Sequence, residues 1–107
     1  MRSSIAIGLT IGMVAIDLPA YAQQAGDVAA GRQLANMWCA ECHIVGTGQP
    51  KAGNDAVPSF AAIAGTRGMT EMALKAYLAT PHPVMPNIAL TRQQMDEIVA
   101  YILSLRR

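Results

Sequence analysis

Two cysteines and a histidine stand out in this chain as residues whose types and spacing could do chemistry. Cys39 and Cys42 lie three positions apart, and His43 follows directly. Residues three apart share one face of a helical turn, so both sulfurs can reach the same partner. Cys-x-x-Cys-His is the attachment motif of c-type haem, in which two thiols bond to the porphyrin and the imidazole can bind the iron. The motif therefore predicts a covalently bound haem.

The same cysteines have three alternative uses. In an oxidising compartment they could form one disulfide. A thioredoxin-like redox pair has this spacing, but it requires a βαβ context, and the sequence has no parallel-strand pattern. A zinc site would add His82 as a fourth ligand, and neighbouring Cys42 and His43 would both have to turn toward the ion. We favour haem and keep these three as alternatives.

The N-terminal segment has the layout of an export signal. Arg2 gives a positive end, residues 5–16 are apolar, and Pro19 precedes a small-x-small triplet that ends at Ala22. The apolar stretch is shorter than the roughly 20 residues that cross a bilayer, which disfavours a retained membrane anchor. We expect residues 1–22 to be a secretory signal peptide, cleaved after Ala22, and residues 23–107 to be the working domain.

Size and charge exclude several classes of protein. The chain has 107 residues, of which 52% are hydrophobic and 14% charged, and its formal net charge is +1. It is too short for a two-domain enzyme, too apolar for disorder and too evenly charged for an electrostatic nucleic-acid binder. A domain this small has marginal stability without a staple, and a haem would supply the missing core volume.

Helical patterns surround the motif. Asp27, Thr70 and Thr91 are good N-caps, and Gln94 completes a capping box with Thr91. Arg106 and Arg107 would follow the last helix at its negative end. No strand pattern is left, so the sequence predicts an all-α domain. The predicted helices run from Val28 to about Cys39, over residues 59–64, after the cap Thr70 through Ala79, and after the cap Thr91 toward the C-terminus with Met95, Ile98, Val99, Ile102 and Leu105 on one face.

The order of these features resembles a known family. An N-terminal helix leads into the haem motif, a proline-flanked Met85 comes late, and an amphipathic helix ends the chain. Over residues 23–107 this is similar to the small monohaem class I cytochromes c of the bacterial periplasm. The resemblance implies a cytochrome c-like fold of about three to five helices around one haem c, with the terminal helices crossing.

The resemblance also implies roles for single residues. Cys39 and Cys42 would form the haem thioethers, His43 would be the proximal iron ligand and Met85 the distal one. Two prolines stiffen the loop around Met85, so its thioether can be held at small entropic cost. The alternatives for the sixth position are His82, Met69, Met72, or an open iron.

Two further positions are assigned through the family. A proline carbonyl after the motif accepts a hydrogen bond from the ligating imidazole in class I cytochromes. Pro58 is the candidate, with Pro50 as the alternative, although Pro58 could simply begin a helix. Gly31 matches the position where the terminal helices cross, and we expect it against Tyr101 and Ile98.

An iron with both axial positions filled leaves one-electron transfer as the expected function. We expect a periplasmic, monomeric carrier that is not an enzyme, binds no nucleic acid and does not stay in the membrane after signal cleavage. Its expected partners are redox proteins such as a periplasmic dehydrogenase, reductase or terminal oxidase. The alternatives are a haem-based gas binder with a displaceable sixth ligand and a fixed electron-transfer subunit of an oxidoreductase complex.

Overall fold

The described part of the chain is helical apart from its loops. A computed structural model describes residues 8, 12, 26–49, 53–54, 56–81 and 83–107. Over these residues there are no strands, so the predicted all-α class is confirmed. None of the described helices is long and apolar enough to cross a membrane. The expected cleavage after Ala22 lies outside the described residues. The helices are α1 (Val28–Trp38), α2 (Phe60–Ala64), α3 (Glu71–Ala79) and α4 (Arg92–Ser104).

Local side-chain hydrogen bonds set where each helix begins. The carboxylate of Asp27 accepts from two amides of α1, and the hydroxyls of Ser59, Thr70 and Thr91 accept from α2, α3 and α4. The predicted capping box of Thr91 and Gln94 is present. Thr70 is the N-cap that the sequence predicted, whereas Ser59, predicted inside the second helix, is its N-cap, so α2 begins one residue later.

The terminal helices α1 and α4 cross in backbone contact at Gly31. A side chain at Gly31 would collide with the carbonyl oxygen of Glu97 and would lie 2.9 Å from the Cβ of Tyr101. The expected partner Tyr101 is present, and the atoms nearest to Gly31 are those of the Glu97 carbonyl. Glu97 and Tyr101 are one turn apart and share the face of α4 that meets α1, while Ile98 is buried in the core.

Helix α4 is the central element, because α1, α2 and α3 all pack against it. Met95 and Leu105, predicted on its apolar face, are only half-buried beside the core. In α1, by contrast, Val28 is 44% exposed and Trp38 is 37% exposed. Small residues of α1 lie in the contact with α4, whereas these two large side chains lie at the edge of that contact. The buried core comprises Ala35, Cys39, Ala40, Val45, Phe60, Ala64, Leu74, Ile98, Val99, Tyr101 and Ile102.

The side chain of Arg106 binds backbone carbonyls outside α4. Its guanidinium donates to the carbonyl oxygen of Ala64 at 3.1 Å and to that of Met69 at 2.6 Å. Ala64 is the last residue of α2, so the positive charge also lies at the negative end of that helix. The C-terminal residues thereby hold the turn between α2 and α3.

Lys75 connects α3 to α4. Its ammonium lies 2.7 Å from a carboxylate oxygen of Asp96 and 2.5 Å from one of Glu71. The hydrogen bond to Asp96, followed by that to Glu71, raises the pKa of Lys75 above its usual value. The lysine therefore stays charged through the neutral range, with its charge compensated within the protein.

The helix crossing predicts a large effect from one methyl group. In Gly31→Ala the new Cβ meets the Glu97 backbone, which cannot swing aside as a flexible side chain could. We expect a net loss of about 1–3 kcal/mol in the free energy of unfolding, measured by urea denaturation, despite the better helix propensity of alanine. Gly65→Ala is the control, because its Cβ would meet no atom closer than 3.4 Å. Equal stability of the two variants would contradict the close crossing.

Candidate haem-binding site

The two cysteines and His43 lie on a backbone turn that continues directly from α1. Cys39 is the C-cap of α1, and its amide donates to the carbonyl of Ala35 at 2.8 Å. The amides of Cys42 and His43 both donate to the carbonyl of Cys39, at 3.1 and 2.8 Å. Helix α1 therefore carries all three functional side chains into the site as one unit.

The chemical state of the thiols bears on the alternatives to haem. Cys39 and Cys42 are not joined by a disulfide. Cys39 is buried, and desolvation raises the pKa of its thiol to about 11. Redox pairs and zinc sites use thiolates, and the burial of Cys39 disfavours its thiolate.

The zinc alternative has no support within the described residues. In that part of the chain, no group of three or more His, Cys, Asp or Glu side chains is arranged to hold a metal ion. Cys39, Cys42 and His43 therefore do not converge on a common point. His82, the fourth ligand of that alternative, lies outside the described residues.

A hydrogen bond determines which nitrogen of His43 is available. Its Nδ1 lies 2.6 Å from the carbonyl oxygen of Pro58. A carbonyl only accepts, so Nδ1 carries the proton and donates it. Nε2 of the neutral ring then keeps its lone pair and is the nitrogen that can bind a metal. Pro50, the alternative partner, lies outside the described residues.

Pro58 owes its position to the start of α2. It precedes the N-cap Ser59 and so is not the first helical residue, which is Phe60. The amide of Phe60 donates to the carbonyl of Ile44 at 2.9 Å, and this bond draws the segment back against the motif. The carbonyl of Pro58 consequently faces the imidazole of His43.

Phe60 supports the imidazole from within the core. Its ring centroid is 5.5 Å from that of His43, with an angle of 52° between the planes, and 6.3 Å from that of Tyr101. Tilted pairs at such distances are favourable beyond their buried area. Sequence reasoning missed Phe60, because an aromatic residue at a helix start has the same pattern as an ordinary core residue.

The methionines differ in how they are placed. Met85 is half-buried in the irregular segment between α3 and α4. Met69 packs against the core cluster, and Met72 is 80% exposed on α3. His82, the rival ligand, lies outside the described residues.

Apolar side chains are exposed where they flank the functional residues. Trp38 and Ile44, on either side of the motif, are 37% and 40% exposed, and Val84 next to Met85 is 90% exposed. A flat, mainly apolar porphyrin fits such surroundings.

Comparison with known proteins decides the family. Residues 26–102 match the family model described as cytochrome c oxidase, cbb3-type, subunit III. The chain is also 45% identical over 82 residues to cytochrome c-552 of Bradyrhizobium diazoefficiens, which covers 77% of this chain and 78% of that protein. The chain belongs to the cytochrome c family. It is a small monohaem cytochrome with one covalently attached haem c, and it carries electrons. No solved structure matches it.

The family membership gives this cytochrome redox proteins as its general partners. Covalent haem attachment would use the two thiols, of which that of Cys39 is buried and that of Cys42 exposed, and both lie on one turn with the oriented imidazole. The sequence did not indicate two side chains that bind carbonyls in and after that turn, Gln49 at His43 and Tyr101 at Val45. Gln49 lies in an aperiodic glycine-rich loop that carries no pattern, and Tyr101 was expected only as a packing partner of Gly31.

Proposed function

We propose that this cytochrome is a periplasmic one-electron carrier whose haem is bonded to Cys39 and Cys42 and ligated by His43 and Met85. The observation that carries the proposal is the hydrogen bond from Nδ1 of His43 to the carbonyl of Pro58. It orients the ring and leaves Nε2 as the ligand atom. When bound, the haem supplies a one-electron change at its iron.

Two groups of the protein shift the reduction potential of the iron in opposite directions. The Pro58 carbonyl makes the imidazole of His43 more basic, which favours the oxidised iron. A thioether from Met85 favours the reduced iron and raises the potential. A second imidazole, from His82, would instead lower it, so the identity of the sixth ligand decides the range in which the carrier works.

Placement and chain stiffness support Met85 as the sixth ligand. Pro83 and Pro86 fix two backbone φ angles around it, so little freedom is lost when its sulfur is held. Met72 points largely into solvent, and Met69 is engaged with the core. Met85 thus combines a non-helical loop with partial burial.

With His43 and Met85 both bound, the iron would have no free position for a substrate, so the proposed function is electron transfer and not catalysis. We place it in the periplasm, as a monomer freed from the signal peptide of residues 1–22. Its partners are a dehydrogenase, reductase or terminal oxidase of that compartment, met through transient contacts smaller than about 1,200 Å².

Replacing the sixth ligand tests the proposal. Met85→Ala should abolish the near-infrared band of methionine-ligated oxidised haem and let the reduced protein bind carbon monoxide, because one axial position opens. The control Met72→Ala, at an exposed position of α3, should keep both the band and the inertness to carbon monoxide. Survival of the band in Met85→Ala would assign the ligand to another methionine, and a wild-type protein that binds carbon monoxide would favour the gas binder.

Covalent attachment is tested at the cysteines. The double variant Cys39→Ser and Cys42→Ser should lose all haem on denaturation, because no thioether holds the ring, whereas either single variant should keep one bond. Mass spectrometry of the denatured chains measures the retained haem. Haem that stays attached to the double variant would refute the assignment, and zinc in the wild-type protein would favour the metal-site alternative.

The charge of this cytochrome predicts a weak salt dependence. The formal net charge is +1, and Lys51 and Lys75 are its only lysines. Lys75 is already paired with Asp96 and Glu71, and two haem propionates bring the total to about −1. Electron-exchange rates with a redox protein, followed by stopped-flow, should change little between about 0.01 and 0.5 M salt. A steep decrease would reveal a charged docking surface.

A further inference from the structure

Four consecutive backbone carbonyls, from Cys42 to Val45, each accept a hydrogen bond from elsewhere in the chain. Two of the donors are main-chain groups. The amide of Asn54 donates to Cys42 at 2.9 Å, and the amide of Phe60 donates to Ile44 at 2.9 Å. The other two carbonyls, those of His43 and Val45, are bound by side chains.

The side-chain amide of Gln49 closes the loop that follows His43. Its Nε2 donates to the carbonyl of His43 at 3.3 Å. Its Oε1 accepts from the amides of Val45 at 2.7 Å and Gly46 at 3.4 Å. One side chain therefore satisfies backbone groups on both sides of Ile44, and the backbone of the candidate ligand is part of that network.

Tyr101 holds the same segment from the opposite end of the sequence. Its buried hydroxyl donates to the carbonyl of Val45 at 2.5 Å. The Tyr101 side chain also lies against Gly31 in the helix crossing and near the ring of Phe60. Tyr101 therefore holds Val45, two residues after His43, in a fixed position relative to α4.

We propose that Gln49 and Tyr101 are positioning residues for the haem ligand. Through the backbone of residues 43–46 they hold the imidazole of His43 at the carbonyl of Pro58, and so they adjust the potential of the iron. The inference rests on the proposed ligation by His43. The ligation proposal names the side chain that binds the iron, whereas this inference assigns part of the tuning to two side chains that bind the backbone of residues 43–46.

The physical argument concerns the two ends of the Nδ1–Pro58 hydrogen bond. The Pro58 end is fixed by the cap of α2 and by the amide of Phe60. The His43 end is fixed by the motif turn and by the two side chains. If the side-chain bonds are removed, the Nδ1 bond lengthens and the imidazole becomes less basic. The oxidised iron loses more stabilisation than the reduced iron, so the midpoint potential rises.

The test uses the holoprotein with near-isosteric variants and matched controls. Gln49→Met removes the amide donor and acceptor, and Tyr101→Phe removes only the hydroxyl. The controls are Gln33→Met, on the exposed face of α1, and Tyr77→Phe, at a tyrosine that is 51% exposed. The readouts are the midpoint potential, the hyperfine-shifted His43 ring protons of the oxidised protein, and exchange of the Nδ1 proton compared with amide protons of α4.

We expect a higher potential, displaced His43 signals and exchange of the Nδ1 proton faster by about tenfold in Gln49→Met and Tyr101→Phe, with none of these changes in the controls. If both variants only unfold at lower temperature, while all three readouts match the controls, the residues are structural and the positioning role is overturned with ligation by His43 intact. If His43→Ala leaves the low-spin spectrum unchanged, the proposed ligand set fails, and the positioning role fails with it.

Discussion

The backbone contact between α1 and α4 at Gly31 is the constraint on which the rest of this cytochrome depends. Because a glycine lets the carbonyl of Glu97 approach closely, α4 lies near enough for the hydroxyl of Tyr101 to bind the carbonyl of Val45. The haem motif continues directly from α1, so the same crossing determines where the thiols and the imidazole lie relative to the core. A larger side chain at this one position would separate the two parts of the site.

The imidazole of His43 is held from three directions. The Pro58 carbonyl binds its Nδ1, the ring of Phe60 lies beside it, and the segment after it is closed by Gln49. Pro58 and Phe60 both belong to the start of α2, whereas Gln49 lies in the loop that follows the motif. As the proposed iron ligand, an imidazole held in this way would need little reorganisation when the iron changes its charge, which suits a protein that carries electrons.

Local features could be predicted from the sequence because their physics is local. The caps at Asp27 and Thr91 bind amides two or three residues away, and the spacing of Cys39 and Cys42 on one turn follows from helical geometry. Arg106 marks the limit of such reasoning. Its charge was expected to act on its own helix, but its hydrogen bonds go to the end of α2 and the turn beyond it, which are distant in sequence.

By itself the sequence determined the helical class, the helix starts and the haem motif, because residue type and short spacing carry that information. Only the tertiary structure decided which nitrogen of His43 is available, that the carbonyl of Glu97 lies closest to Gly31, and that Gln49 and Tyr101 close the loop after the motif. These outcomes depend on carbonyls that every residue possesses. The sequence therefore does not show which carbonyl will accept from a given donor, because folding alone brings the two together.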